Sequence, residues 1–187
     1  SDLDPEETHH LLKRFFEVVD GLIVEFGGTI DKHIGDNVMA LFGAPVAHGN
    51  DTERAVRAAL AVHAAMPALA QEFGRALSVH IGIALGEVIA SGLGSASHRA
   101  YTVTGDAANL AARLMDLAAG GETLVSEPVR QATEAMVSYA PRGELSVKGL
   151  TQSQNAFCLL GLAAERAAEP DLVGRTSELS QLVSLLD

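Results

Sequence analysis

Residues 29–42 read TIDKHIGDNVMALF, two short apolar or β-branched runs on either side of Gly35-Asp36-Asn37. Turn residues between two strand-forming runs predict a tight β-hairpin. Asp36 at its tip would project a hard oxygen ligand from a rigid scaffold, which suits Mg²⁺ or Mn²⁺ bound to phosphates. A Gly-Asp pair is equally ordinary turn composition. The hairpin by itself leaves both interpretations of Asp36 open.

Helix patterns flank the hairpin. On its amino side, apolar residues recur at spacings of three and four between Leu11 and Phe26, after a helix start at Asp4-Pro5 and before a stop at Gly27-Gly28. On its carboxyl side, a second helix is predicted to begin near Asn50-Asp51 and to end by Gly74.

The rest of the chain alternates short strands with short helices. We expect one strand over residues 77–84 that continues past a glycine kink into 87–90, and a loop over 91–99. A third helix follows Thr104-Gly105-Asp106 and ends at Gly120-Gly121, and a fourth begins near Glu127. The other predicted strands cover 101–103, 123–126, 144–147 and 156–160. This order predicts an α+β sandwich with helices on one face of a mostly antiparallel sheet.

Composition excludes several classes of function. The 187 residues carry 13 Lys plus Arg and 24 Asp plus Glu, a net charge of −11. An acidic chain with few aromatics lacks the basic stripe of a nucleic-acid groove, so we expect no nucleic-acid partner. The lone Cys158 excludes an intramolecular disulfide and favours a reducing, cytoplasmic location. No apolar run is long enough to span a membrane, and no signal peptide is recognisable.

The third predicted helix carries a polar pair on one face. Asn109 and Arg113 are four residues apart and are flanked by small alanines, over which a ligand can approach closely. An Asn amide can hold a ribose, and an Arg guanidinium can bind two oxygens of a phosphate as charge develops. An ordinary helix-surface pair would look the same. Lys32, four residues before Asp36, likewise fits either a solvated strand lysine or a ligand contact.

Two long segments together resemble the class III nucleotidyl cyclases. They are residues 28–45, GTIDKHIGDNVMALFGAP, and residues 101–114, YTVTGDAANLAARL. The resemblance runs from about Asp4 to Leu162, and it implies a ferredoxin-like sandwich over residues 1–162. It implies an adenylate cyclase that converts ATP to 3′,5′-cyclic AMP and pyrophosphate in signal transduction. The cofactors would be two Mg²⁺ or Mn²⁺ ions, at sites on a head-to-tail homodimer interface.

The resemblance also assigns roles to individual residues. Asp36 corresponds to one of two metal-binding aspartates, and Lys32 to the lysine that contacts the adenine ring. Thr102 corresponds to its partner in base recognition, where Thr or Asp is typical of adenylate cyclases. Asn109 would orient the ribose, and Arg113 would stabilise the transition state.

Other positions match the family less well. Lys148, in a Val-Lys-Gly segment, would contact the phosphates, and His80 stands where an Arg often contacts them. The family's first strand, which carries the other metal aspartate, would precede the opening helix, and neither Asp2 nor Asp4 can substitute for it. We therefore expect an amino-terminally truncated domain, weakly active or inactive as residues 1–187 alone.

The last residues resemble a different module. Residues 163–170 are predicted to form a linker, and 172–179, LVGRTSEL, resemble the start of an ATPase module of the AAA or signal-transduction type. This arrangement leaves an alternative function open, in which a catalytically silent cyclase-like module binds nucleotide or dimerises to regulate the fused ATPase-like region.

Overall fold

The amino-terminal half follows the predicted order of a helix and a hairpin. The computed structural model describes residues 4–93, 100–145 and 154–163. Helix α1 spans Pro5–Glu25, and the hairpin consists of β1 (Thr29–Ile34) and β2 (Asn37–Leu41). Gly35 opens the two-residue turn with a φ of 65°, in the left-handed region where a side chain would be strained. The sequence predictions for both elements are confirmed.

The strands of the described structure form three separate sheets, with the remaining helices between them in the chain order. The elements that follow the hairpin are α2 (Asp51–Glu72), β3 (Ile81–Ile83), β4 (Ile89–Leu93), β5 (Ala100–Thr104), α3 (Asp106–Leu117), β6 (Thr123–Ser126), α4 (Glu127–Thr133), β7 (Val137–Leu145) and β8 (Gln154–Leu162). The strands form a β1-β2 pair, a β3-β6-β8-β7 sheet and a β4-β5 pair. All pairings are antiparallel except β3 with β6, so the predicted α+β class is confirmed.

Two strand predictions were wrong in detail. Residues 77–90 do not form one kinked strand, because β3 pairs with β6 whereas β4 belongs to another sheet and pairs with β5. Part of the predicted loop, residues 91–93, lies in β4; residues 94–99 are outside the described structure. The strand predicted at 144–147 begins at Val137, and register shifts near Ser138 and Pro141 obscure its alternation.

Three apolar clusters hold these layers together. The first joins α1 to α2 through the buried side chains of Val19, Ile23, Val62, Met66 and Leu69. The second joins α2 and α4 to the four-stranded sheet, and the third packs α3 onto β6 and β8. Since α1 and α2 share a core with the hairpin, the position of the hairpin depends on both helices.

His63 links α2 to β6, and this contact predicts a dependence of stability on pH. Its Nε2 lies 2.8 Å from the Oγ1 of Thr123, and partial burial lowers the pKa of the imidazole from its ordinary value of 6.5. The unfolded chain therefore binds a proton more readily than the folded one, so acid favours unfolding.

We expect the free energy of unfolding to be largest above the ordinary histidine pKa and to fall as the pH drops from about 7 to about 5. Urea unfolding of the native protein and of His63→Gln, which keeps a polar contact without titrating, measures this effect. A pH dependence of equal slope in both proteins would contradict the assignment to His63.

Candidate active site

The hairpin presents two of the predicted site residues. Asp36 occupies the second turn position and is exposed. Lys32 lies on β1 with 35% of its side chain exposed, and its Nζ is 3.2 Å from the Oδ2 of Asp31. The turn thus carries an exposed carboxylate, Asp36, that could bind a cation. It lies two residues beyond the end of β1, the strand that carries the partly buried side chain of Lys32.

A long apolar cleft of about 660 Å³ lies beside this hairpin. Strands β2 and β3 both line it, helices α1, α2 and α3 contribute apolar side chains, and Asp36 lies among its lining residues. Within the described residues β2 pairs with β1 alone, and β3 pairs with β6 alone. Each of these strands therefore retains an edge without a strand partner, and both border the cleft.

Helix α3 carries Asn109 and Arg113 on its exposed side. The opposite side lies against β3 at Gly82, where an added Cβ would come within 2.0 Å of the Ala111 carbonyl oxygen. Only glycine permits this approach of helix to strand. Ala107 is buried close to Gly86, and the carbonyl of Ala111 faces Gly82, so these two alanines lie on the packed side of α3.

The predicted base-recognition residues lie on neighbouring strands. Thr102 is on β5, where it pairs with Ser91 of β4, and β5 contacts β1, the strand of Lys32. Lys148 lies outside the described residues. Among the described residues, Asp36 lines the cleft, whereas Asn109 and Arg113 do not.

Two further polar residues lie in the cleft wall. The Nδ1 of His80 is 3.1 Å from the carbonyl oxygen of Ala118, so this nitrogen donates to the end of α3. Asp51 accepts a hydrogen bond from the backbone N–H of His48 at 2.9 Å, and this bond lowers the pKa of the carboxyl. Both contacts tie loops to helix ends. From the sequence, Asp51 was predicted only as part of a helix start, because an aspartate is common at that position for reasons unrelated to a ligand.

The metal-ligand set is incomplete in the part of the chain that the structure describes. Among those residues, no group of three or more His, Cys, Asp or Glu side chains could hold a metal ion. Asp36 has the right chemistry for one ligand of a hard divalent cation, but two ions need more oxygen donors than it provides.

No helix in the described ranges is both long and apolar enough to cross a membrane.

A family model matches almost the whole chain. The model for the adenylate and guanylate cyclase catalytic domain covers residues 1–161. The chain belongs to this cyclase family. Adenylate cyclase 1 of Rhizobium meliloti is 31% identical over a 168-residue alignment that covers 84% of this chain and 25% of that protein. The cyclase chain thus spans a quarter of that relative's length.

Solved cyclase structures share the fold. The crystal structure of the adenylyl cyclase CyaB from P. aeruginosa matches with a TM-score of 0.81 and 27% identity, over 88% of this chain and 87% of that one. The guanylyl cyclase Cya2 matches with a TM-score of 0.82 and 29% identity, over 88% and 86%. Because these two enzymes are named for different nucleotides, the overall likeness does not select ATP or GTP for this cyclase domain.

Proposed function

We propose that this domain is an adenylate cyclase that forms 3′,5′-cyclic AMP and pyrophosphate from ATP. The ribose 3′-oxygen attacks the α-phosphorus and pyrophosphate leaves. The observation that carries the choice of ATP is the contact between β1 and β5, which brings the strand of Lys32 beside the strand of Thr102. A lysine ammonium can donate to a ring nitrogen of adenine, and a threonine hydroxyl can accept from its amino group.

The exposed side of α3 supplies the groups for the reacting atoms. Asn109 orients the ribose, and the guanidinium of Arg113 stabilises the charge that grows on the phosphate oxygens. Lys148 contributes a further cation to the phosphates. Asp36 would be a carboxylate ligand for Mg²⁺ or Mn²⁺, which would supply positive charge to neutralise the phosphates.

A second copy completes each site. Asp36 borders the cleft, whereas Asn109 and Arg113 are exposed on α3 and do not line it. In a head-to-tail homodimer, the hairpin carboxylate of one protomer would meet the base- and phosphate-binding side chains of the other. Each dimer would hold two equivalent sites.

The apolar cleft is where the family's first strand would fit. Strands β2 and β3 border it with open edges, and its walls are mostly apolar. A strand placed there would join the hairpin to the four-stranded sheet and bring a second carboxylate near Asp36.

One observation favours the silent regulatory module as the second candidate. Among the described residues, no group of three or more His, Cys, Asp or Glu side chains could hold a metal ion, and two-ion catalysis needs several such ligands. In this alternative, Lys32 and Arg113 bind nucleotide without turnover. Regulation of a fused ATPase-like region and a cytoplasmic location remain predictions in either case.

Nucleotide preference tests the proposed function. Cyclic AMP and cyclic GMP are measured from ATP and GTP, with Mn²⁺ and with Mg²⁺, on residues 1–187 and on a polypeptide extended at the amino end. We expect cyclic AMP from the extended protein and a fall of about tenfold or more in its ATP preference in Lys32→Ala, since each 1.4 kcal/mol of lost base contact is tenfold.

The control is Lys13→Ala, because Lys13 is an exposed lysine of α1 outside the proposed site. This variant should retain the preference. A folded, dimeric extended protein that makes neither cyclic nucleotide would refute the adenylate cyclase and support the silent module.

A further inference from the structure

Asp31 is a buried carboxylate beside the proposed base-recognition lysine. Its side chain is 0% exposed, and neither carboxylate oxygen accepts a hydrogen bond of acceptable geometry from the described residues. The Nζ of Lys32 lies 3.2 Å from Oδ2. This distance is that of an ion pair, so among the described residues Asp31 interacts with Lys32 by charge attraction.

A β-bulge makes this pairing possible. Ile30 pairs with Ala40, but the next pair is Lys32 with Met39, so Asp31 is an extra residue in β1. In a regular strand, consecutive side chains point to opposite faces, which would separate the carboxylate from the ammonium group. A bulge redirects side chains locally, and here it places two neighbouring residues within reach of each other.

The arrangement is unfavourable for stability. Burying a carboxylate without hydrogen bonds costs free energy, and one ion pair only partly offsets that cost. Lys32 is partly exposed to solvent, and an ion pair with solvent access contributes little to stability. Asp31 lowers stability and lies next to Lys32, the residue proposed to contact the base. This combination suggests that Asp31 serves to position the Lys32 side chain.

We propose that Asp31 is a positioning residue for Lys32. Its carboxylate attracts the ammonium group at ion-pair distance, which restricts where the end of the Lys32 side chain lies relative to the nucleotide base. Asp31 does not touch the nucleotide. This inference rests on the proposed function only in assigning Lys32 to the base.

The first test uses Asp31→Asn, which keeps the shape of the side chain and removes its charge. In the amino-terminally extended protein we expect the preference for ATP over GTP to fall by about tenfold, within the range of coupling between contacting side chains. The KM for ATP should rise more than kcat falls. The melting temperature should stay equal or increase, since a poorly satisfied buried charge is removed. Asp31→Glu should recover part of the preference.

A double-mutant cycle separates positioning from a general structural effect. If Asp31 acts through Lys32, Asp31→Asn should cost no further preference in the Lys32→Ala background. An equal loss in both backgrounds, or a parallel fall in melting temperature and activity, would overturn the proposal.

A second measurement does not depend on turnover. The rate of acetylation of Lys32 by acetic anhydride, read by mass spectrometry on residues 1–187, should increase in Asp31→Asn while that of Lys13 stays constant. An unchanged rate at Lys32 would overturn the inference even in an inactive protein. An increased rate without any cyclase activity would retain the ion pair's role and refute only the proposed function.

Discussion

Asp36→Ala in the amino-terminally extended protein is expected to reduce cyclic AMP formation by about a thousandfold or more. A metal ion contributes several kcal/mol of charge stabilisation to phosphoryl chemistry, and each 1.36 kcal/mol is a factor of ten in rate. Asp36 is the exposed carboxylate of a hairpin turn, in a position to meet a cation without displacing other contacts. Its removal should leave the fold intact, because the turn conformation depends on Gly35.

The matched control is Asp116→Ala, since Asp116 is an exposed aspartate of α3 outside the proposed set. Turnover at increasing Mn²⁺ should separate the two variants, with Asp36→Ala remaining impaired at every concentration and Asp116→Ala resembling the parent. Binding of Mn²⁺ with a non-hydrolysable ATP analogue, followed by calorimetry, gives a second readout. Full activity of Asp36→Ala would remove this residue from the site.

Local elements were predictable because their signals are local. The period of the apolar residues in α1 and the Gly35-Asp36 turn depend on neighbours in sequence, and both elements lie where the pattern placed them. The division of residues 77–90 between two sheets was not predictable. Alternation reports that a segment is extended, and it does not report whether β6 or β5 will be its partner.

The sequence predicted which residues the candidate site contains, but it did not predict how they are arranged in space. Asn109 and Arg113 share an exposed helix face as their spacing required. The close approach at Gly82 that orients this face depends on contact with Ala111, which no local pattern encodes. The burial of Asp31 was missed for a similar reason, because an acidic residue in a strand is normally placed on the solvent face.

Helix α3 is the second element on which cyclase activity should depend strongly. Gly82 fixes the buried side of α3 against β3, so the direction of the exposed side is determined by the core rather than by the ligand. A guanidinium presented from such a rigid element loses little entropy when it binds phosphate oxygens. Arg113 should therefore act mainly on the transition state.

Arg113→Ala is expected to lower kcat by about a hundredfold or more, as does the loss of other donors that stabilise developing charge. The KM for ATP should change much less, since the charge on the transferred group is greatest in the transition state. Arg113→Lys should recover only part of the rate, because an ammonium group cannot bind two oxygens in the planar geometry of a guanidinium. Arg57→Ala, an exposed arginine on α2, is the control. Equal losses in Arg57→Ala and Arg113→Ala would indicate a general effect of surface charge, whereas a rise in KM with unchanged kcat would move Arg113 from catalysis to ground-state binding.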